Sequence, residues 1–164
     1  MDTQGLDLQT IEEIRALKYR YLRAVDLKLW DELAGTLCVD VVADYGSPSG
    51  GGPLKFDSRD ALVTHLSTAL AGPIATQHMV TQPEITVTGD TATGTWSMQD
   101  TVIAAEYGVL IRGGAYYVDT YRREDGQWRI ASTAYKRIYE TMETFQGNER
   151  FTLTDFMWPY PKTN

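Results

Sequence analysis

The sequence is poor in the residues that build metal centres and disulfides. Its 164 residues include one cysteine, Cys38, and two histidines, His65 and His78. A single cysteine cannot form an internal disulfide or a thiolate cluster, and two histidines cannot supply a multi-histidine site. A magnesium site made of carboxylates alone would need a clustered acidic motif, and the sequence shows none. We therefore expect a protein that uses no metal and no cofactor.

Long apolar runs and an excess of positive charge are also missing. No stretch reaches the roughly 18 apolar residues that cross a bilayer, and the polar, acidic N-terminus does not match a secretory signal. We therefore expect a cytoplasmic location. The 15 basic residues against 22 acidic ones give a net charge of −7, which repels nucleic acid and anionic membranes. We expect neither as a partner.

What the chain does contain is enough apolar material for one core. Hydrophobic residues make up 43% and aromatic residues 11% of the sequence, and a chain of this length usually forms a single domain. We predict one domain over residues 1–164. The last segment, residues 143–164, has no clean period but carries several large apolar side chains, so we predict a C-terminal tail that docks on the domain or on a second subunit.

The first half of the chain has helical periodicity. Thr10 begins a capping box, and the helix that it opens has an apolar residue every three or four positions. A second helix is predicted over residues 28–37, a short strand near residues 41–45, and a third helix over residues 57–72, capped by Asp57 or Ser58. The apolar residues of the first helix are Ile11, Ile14, Leu17, Tyr21 and Val25.

After residue 74 the period changes from 3.6 to 2, which predicts long antiparallel strands. Gly89-Asp90 and Asp125-Gly126 are turn signals, the second a strong hairpin signal. Helices followed by such a meander predict an α+β fold: a cone-shaped barrel, with N-terminal helices packed on a strongly curved, mainly antiparallel sheet. The open end of such a cone is a natural place for a small-molecule pocket.

Asp26 and His78 are the first candidates for chemistry. Asp26 ends the first helix, where the helix dipole disfavours an anion. It has an ordinary explanation as the N-cap of the second helix, and a lone histidine in a strand is usually structural. The alternative is that the two meet, since imidazole suits proton transfer at neutral pH. Tyr21 is able to face the same cavity if the helix ends near Asp26.

Other candidates come from the strand pattern. Trp96 and Met98 share one face of a strand. Lys136 and Arg137 lie on opposite faces of the last strand, so one of them points inward, and Lys136 fits the exposed position better. Phenols are abundant, and a phenol in a dry cavity binds a substrate oxygen. We predict substrate contacts from these patterns at Trp30, Trp96, Met98 and Arg137.

Three segments together resemble a known family. They are "IEEIRALKYRYLRAVDLKLWDELAGTLCVDVVADYG", "TQHMV" and "GGAYYVDTYRREDGQWRIASTAYKRIY", within residues 8–142. They resemble the SnoaL-like branch of the ketosteroid-isomerase-like superfamily, nearest to the group of bile-acid dehydratase, scytalone dehydratase and hexachlorocyclohexane dehydrochlorinase. The "YRREDGQWRI" hairpin is the most specific piece of the likeness.

The resemblance implies an Asp–His dyad. Asp26 and His78 match its two members, with histidine removing a proton from carbon and aspartate orienting it. Tyr21 matches a position that assists the leaving group or orients substrate. The sequence departs from the family too, because it has no further histidine to match the second one of the scytalone enzyme and no arginine where the dehydrochlorinase has one. The positions that match pocket-lining residues are Tyr45, Tyr117 and Thr133.

From these observations we predict a cofactor-independent lyase. It would act on a small, largely apolar cyclic molecule such as a steroid, terpenoid, polyketide or aromatic intermediate, through a dehydratase-type elimination. Three alternatives stay open: an isomerase with the same base, a non-catalytic ligand-binding domain, and the small subunit of a ring-hydroxylating dioxygenase. The predicted partners are a small-molecule substrate and further copies of the chain, in a homodimer or homotrimer.

Overall fold

Three helices and six strands form the part of the chain that the structure describes. The structure is a computed structural model, and it describes residues 8–46 and 54–154. A short 3-10 turn, Ala105–Tyr107, joins two of the strands. In chain order the elements are α1 (Leu8–Asp26), α2 (Trp30–Gly35), β1 (Leu37–Gly46), β2 (Leu54–Phe56), α3 (Arg59–Ala69), β3 (Ile74–Thr88), β4 (Thr91–Ala104), β5 (Val109–Glu124) and β6 (Gln127–Thr144).

The strands form one curled sheet in the order β2-β1-β6-β5-β4-β3. All neighbouring pairs are antiparallel except β1 and β6. The β5–β6 hairpin turns at Asp125 and Gly126, whose φ angles of 51° and 77° fit the left-handed turn that matches strand twist. The predicted α+β class and mainly antiparallel sheet are confirmed. The described strands curl without closing into a barrel, because β2 and β3 remain as edges.

Helix α1 carries the side chains that bind the helical layer to the sheet. Ile14, Leu17, Tyr21 and Val25 are buried in the core, as their spacing predicts. The predicted capping role of Thr10 is wrong. Among the described residues the helix begins at Leu8, so Thr10 lies inside its first turn and is buried.

Strand β3 bends part-way along its length. Its register with β4 shifts between Thr81 and Glu84, and Gln82, in the middle of the shift, has a φ of 50°. Proline follows at position 83, where an edge strand tolerates the missing N–H. Both halves of β3 pair with β4, and the bulge separates the half that carries His78 from the half next to the β3–β4 turn.

The remaining sequence predictions have mixed outcomes. Ser58 caps α3 by accepting a hydrogen bond from the Ala61 amide at 3.3 Å. The predicted loop after Gly46 falls on residues 47–53, outside the described residues. Strand β6 continues to Thr144, and the rings of Phe145 and Phe151 stack 4.3 Å apart just beyond it. Phe156, Met157 and Trp158 lie outside the described residues, so the docked tail and the single-domain boundary stay predictions.

Candidate active site

Asp26 is placed by a very short link between two helices. It is the last residue of α1, and α2 begins four positions later at Trp30. Lys28, inside the link, adopts a left-handed φ of 57°, and its Nζ donates to the Gly72 carbonyl oxygen at 3.0 Å. The N-cap of α2 is Leu29, which makes no side-chain capping bond. The capping explanation for Asp26 is therefore wrong, and its carboxylate is used elsewhere.

The Asp26 carboxylate meets His78 and fixes it with several hydrogen bonds. His78 Nδ1 lies 2.6 Å from Asp26 Oδ1, and the His78 backbone N–H donates to Asp26 Oδ2 at 2.8 Å. Thr76 Oγ1 donates to Oδ1 at 2.8 Å. Both side chains are 16% exposed. With Nδ1 donating to the carboxylate, Nε2 is the nitrogen that is left to accept a proton.

His78 faces an internal cavity of about 150 Å³. We call it the inner cavity; helices α1 and α3 cover it, and the concave face of the sheet forms its floor. The walls combine aliphatic side chains with phenols and one ion pair. The lining residues are Tyr21, Leu22, Val25, Tyr45, Leu66, Leu70, Thr76, His78, Asp100, Val102, Tyr117, Tyr135 and Arg137.

Two phenols of the inner cavity are hydrogen-bonded to each other. The hydroxyl groups of Tyr21 and Tyr45 are in direct contact, and either is able to donate. Burial raises the pKa of both phenols above the usual value. Both phenols therefore remain protonated at neutral pH. The phenol that accepts the hydrogen bond of this pair still has its own O–H hydrogen, which it is able to donate to a ligand. Tyr117 and Tyr135 complete the aromatic wall, and burial raises their pKa values too.

Arg137 enters the cavity as part of an ion-pair network. Its two terminal nitrogens contact both carboxylate oxygens of Asp100, at 2.7 Å for Nη2 and Oδ2. Its Nε lies 3.0 Å from Glu140 Oε2. The Arg137 and Asp100 side chains are only 7% and 2% exposed. The charge of the guanidinium is thus already compensated by two carboxylates before any ligand arrives.

The structure brings five sequence-predicted residues together at the cavity beside Asp26 and leaves four elsewhere. His78, Tyr21, Tyr45, Tyr117 and Arg137 line it. Trp30 instead lines a separate surface groove beside Lys28 and Gly72. The other three lie in the packed core, and their contact with a substrate stays a prediction. These three are Trp96, Met98 and Thr133.

Asp100 and Thr76 were not predicted from the sequence. A signal for Asp100 exists, because it continues the alternation of Trp96 and Met98 on the inward face of β4 and pairs opposite His78 in the sheet. Thr76 precedes His78 by two positions and so shares its face of β3. Neither residue has a helical or motif signature. Their position is set by the register between β3 and β4.

A buried ion pair lies behind the aromatic wall. Lys18 Nζ is 2.7 Å from Asp119 Oδ2, and both side chains are fully buried. The ammonium is 3.4 Å from the centre of the Tyr117 ring, and Tyr121 donates to the same carboxylate oxygen at 2.8 Å. Desolvation lowers the pKa of Lys18, against the opposing effect of Asp119. Lys18 was also missed, although it follows Ile14 by four positions on the buried stripe.

A second, larger depression lies on the other side of the dyad. This outer groove has a volume of about 750 Å³ and is lined by Asp26, His78 and neighbouring residues of α1 and β3. Leu22, Thr76 and His78 border both the outer groove and the inner cavity. His78 therefore lies between the outer groove and the inner cavity.

One group of potential metal ligands occurs among the described residues. Cys38, Asp40 and Glu124 place ligand atoms within 4.8 Å of one another. Arg122 already binds both carboxylates, with Nη2 2.6 Å from Asp40 Oδ1 and Nε 2.9 Å from Glu124 Oε1. Burial and the neighbouring Glu124 raise the pKa of the Cys38 thiol to about 11. This arrangement is an arginine-bound acidic pair beside a protonated thiol.

The comparison with known families agrees with this architecture. The model of the SnoaL-like domain matches residues 7–134. The chain belongs to the SnoaL-like domain family. The match contains α1, Asp26 and His78, five of the six strands in full and the hairpin turn after β5, so it confirms the resemblance that the sequence segments indicated. Within the described part of this SnoaL-like chain, no helix combines the length and apolarity required to cross a membrane.

Solved structures share the fold of this SnoaL-like chain. A candidate scytalone dehydratase from Novosphingobium aromaticivorans is 19% identical, with a TM-score of 0.73 over 82% of this chain and 87% of that one. A hexachlorocyclohexane dehydrochlorinase of LinA type 3 from Novosphingobium barchaimii is 21% identical, with a TM-score of 0.70 over 90% and 97%. A Mycobacterium tuberculosis protein of unknown function is 27% identical, with a TM-score of 0.66 over 84% and 78%.

Proposed function

We propose that the chain is a cofactor-independent lyase that eliminates a leaving group from a small cyclic substrate. The observation that carries the proposal is the Asp26–His78 hydrogen bond at the wall of the inner cavity, with the imidazole reaching a space that a substrate can occupy. A base that is oriented by a buried carboxylate is the standard arrangement for proton abstraction. The names of the dehydratase and the dehydrochlorinase support the same class of reaction.

The proposed step uses the residues as they stand. His78 Nε2 takes a proton from a ring carbon next to an electron-withdrawing group. The electron pair of that C–H bond forms the new carbon–carbon double bond, and the leaving group departs from the neighbouring carbon with its bonding electrons. Asp26 stabilises the imidazolium that results. The free phenol hydrogen of the Tyr21–Tyr45 pair donates to the departing or developing negative oxygen.

Arg137 has a positioning role in this proposal. Because Asp100 and Glu140 hold the guanidinium in place, it presents a fixed cationic edge to the cavity. A fixed edge of this kind orients a substrate carbonyl without a conformational change. An isomerase would use the same base and the same oxygen-binding groups but would return the proton to another carbon.

The first prediction tests the dyad by proton exchange in D₂O. Cyclic ketones with a β-hydroxyl group serve as the probe set, and NMR follows both loss of the α-hydrogen and formation of the alkene that accompanies release of water. His78→Ala is expected to lower the exchange rate by roughly 10²- to 10⁴-fold, the usual contribution of a general base. Asp26→Asn is expected to lower it by at least about tenfold, because the imidazolium loses its counter-charge.

The controls use the other histidine and an exposed acid. His65 of α3 packs against Phe56 of β2 and does not line the inner cavity. Asp31 is an exposed residue of α2. His65→Ala and Asp31→Asn are expected to keep the wild-type rate, with circular dichroism reporting the fold of every variant. Exchange without water release would indicate the isomerase. Wild-type exchange in His78→Ala would reject the dyad as the catalytic centre.

A further inference from the structure

The inner cavity is small compared with most ligand sites. Its volume is about 150 Å³, whereas pockets for drug-sized molecules span about 300–1,000 Å³. An apolar cavity of about 150 Å³ holds one benzene molecule. The space beside His78 therefore fits a single six-membered ring with short substituents and has no room for a fused multi-ring system.

Side chains that line the inner cavity also pack against the hydrophobic core. Leu66 of α3 and Leu70, the residue that caps the C-terminal end of α3, line it and also contact the hydrophobic core. Val102 closes it on the β4 side, and the paired phenols of Tyr21 and Tyr45 close the deep end. Enlarging the chamber requires these contacts to be lost, which a packed core resists.

The charges around the cavity favour neutral ligands. Three carboxylates face it or hold its lining residues, namely those of Asp26, Asp100 and Glu140, and one guanidinium, that of Arg137, opposes them. The carboxylates outnumber the guanidinium, so the summed charge of these four groups is negative. A carboxylate ligand would lose its hydration in this space and find no uncompensated cation.

The other titratable groups do not change this balance. The phenols of Tyr21, Tyr45, Tyr117 and Tyr135 are uncharged at neutral pH, because burial raises their pKa values. Behind Tyr117, the ammonium of Lys18 is matched by the Asp119 carboxylate in a pair of no net charge. The cavity lining does provide hydrogen-bond donors for an uncharged oxygen atom of a ligand, namely a phenol O–H and the guanidinium of Arg137.

We infer that the inner cavity selects neutral, oxygen-bearing molecules with a single six-membered ring and rejects the corresponding carboxylates. The inference rests on the proposed function for the identity of the site and narrows its substrate class. It concerns binding alone, so it is testable without turnover.

Benzamide and benzoate are a suitable pair of probes, because they have the same number of heavy atoms and differ in charge. Naphthalene-2-carboxamide adds one fused ring. Binding of each to the full chain is measured by ligand-detected NMR at pH 7. Benzamide is expected to bind at least about tenfold more tightly than either of the other two, a difference of about 1.4 kcal/mol.

Matched variants assign the effects to the cavity. Leu66→Ala widens it and is expected to raise the affinity for naphthalene-2-carboxamide by about tenfold, whereas Leu8→Ala, at an exposed position, leaves it unchanged. Glu140→Gln removes one of the carboxylates and is expected to reduce the preference for benzamide over benzoate by about threefold or more. Glu106→Gln, which removes an exposed acid, is the control.

Different results would reject the binding selectivity of the inner cavity and the proposed catalysis by His78. Equal binding of benzoate and benzamide by the wild type would overturn the charge selection, and tight binding of naphthalene-2-carboxamide would overturn the size limit. Because no proton is transferred in these measurements, His78→Ala is expected to keep the preference for benzamide over benzoate. A wild-type exchange rate in that variant would reject the proposed catalysis while leaving the binding selectivity in place.

Discussion

Asp26 shows how one residue can be unfavourable for its own helix and still be stabilised. A carboxylate at the C-terminal end of α1 is repelled by the helix dipole, at a cost of typically about 0.3–1 kcal/mol. It is offset by hydrogen bonds from the Thr76 hydroxyl and from the backbone and side chain of His78, since bonds to a charged group contribute about 1.5–3 kcal/mol each. The residue belongs to the site, and the helix tolerates it.

The second prediction concerns the buried Lys18–Asp119 pair. Lys18→Met leaves the Asp119 carboxylate buried, and the Tyr121 hydroxyl is then its remaining side-chain partner among the described residues. The free energy of unfolding is expected to fall by about 3–5 kcal/mol, since breaking a buried pair strands its other charge. Urea denaturation followed by circular dichroism measures it.

The matched control for Lys18 lies on the same helix. Arg15 pairs with Glu12 at the surface, where its side chain is 37% exposed and that of Glu12 65%. Arg15→Met is expected to change the free energy of unfolding by less than about 1 kcal/mol. If Lys18→Met also lowered the free energy of unfolding by less than about 1 kcal/mol, the buried pair would be unimportant for stability.

The third prediction concerns the buried tyrosines at alkaline pH. Burial raises the pKa values of Tyr21, Tyr45, Tyr117 and Tyr121 in the folded chain, while the unfolded chain ionises near pH 10. Above that pH the unfolded state holds fewer protons than the folded state, so stability falls as pH rises. Each phenol contributes a slope of about 1.4 kcal/mol per pH unit.

Absorbance near 295 nm and urea denaturation between pH 9 and 12 measure this effect together. The four buried phenols are expected to ionise only as the chain unfolds. Tyr121→Phe is expected to reduce the slope of stability against pH by up to about 1.4 kcal/mol per pH unit, since it removes the contribution of one phenol. The exposed Tyr116→Phe is the control, and the prediction is wrong if both variants have the wild-type slope.

At the scale of single residues, the sequence led to the candidates that have a chemical or family signature. Asp26, His78, Tyr21, Tyr45 and Tyr117 could be named because a spaced family pattern contains them. Asp100, Thr76 and Lys18 could not be named in the same way. Their roles depend on which side chains the folded sheet places opposite them, and this information is not local in the chain.

At the scale of elements, the β5–β6 hairpin depends on its turn. Gly126 has a φ of 77°, and a Cβ added there would meet nothing within 4 Å. The fourth prediction is that Gly126→Ala lowers the free energy of unfolding by about 1–2 kcal/mol, from the backbone conformation alone. Thermal and urea denaturation measure the loss.

Gly35 provides the comparison for Gly126. A Cβ at Gly35, the last residue of α2, would also meet nothing within 4 Å, but its φ is not positive. Gly35→Ala is therefore expected to leave stability unchanged or to raise it by up to about 1 kcal/mol. If Gly126→Ala and Gly35→Ala were equally destabilised, the left-handed turn conformation at Gly126 would not be the cause of the loss.

Element types were easier to predict than element ends. The three helices and the long strands follow from their periods, whereas α2 is shorter than predicted and β6 runs to Thr144. The ends depend on sheet partners: β1 begins at Leu37 because it pairs with β6, and that parallel contact brings together residues about 90 positions apart. No local pattern records such a pairing.

At the scale of the whole molecule, the outer face of the sheet remains apolar. Tyr116 and Val118 of β5 point away from the core and are 57% and 56% exposed. The fifth prediction is that the chain forms a homodimer or homotrimer through this face, because apolar patches on soluble proteins mark contact surfaces. Sedimentation velocity at micromolar concentration is expected to show the assembly.

Substitutions on and off this face test the assembly. Val118→Lys is expected to shift the chain toward monomer, whereas Tyr107→Lys, in the 3-10 turn outside the strands, is expected to leave the assembly intact. A wild-type chain that sediments as a monomer at every concentration would contradict the prediction.

The two borders of the curled sheet also limit how chains can meet. Strand β2 has only three residues, and the proline after Gln82 interrupts the row of N–H donors along β3, where the bulge turns the strand aside. Within residues 8–46 and 54–154, neither edge therefore offers an incoming strand a long flat template on which to pair. We expect these edges to hinder edge-to-edge aggregation, even though the long strands are rich in β-branched and aromatic residues.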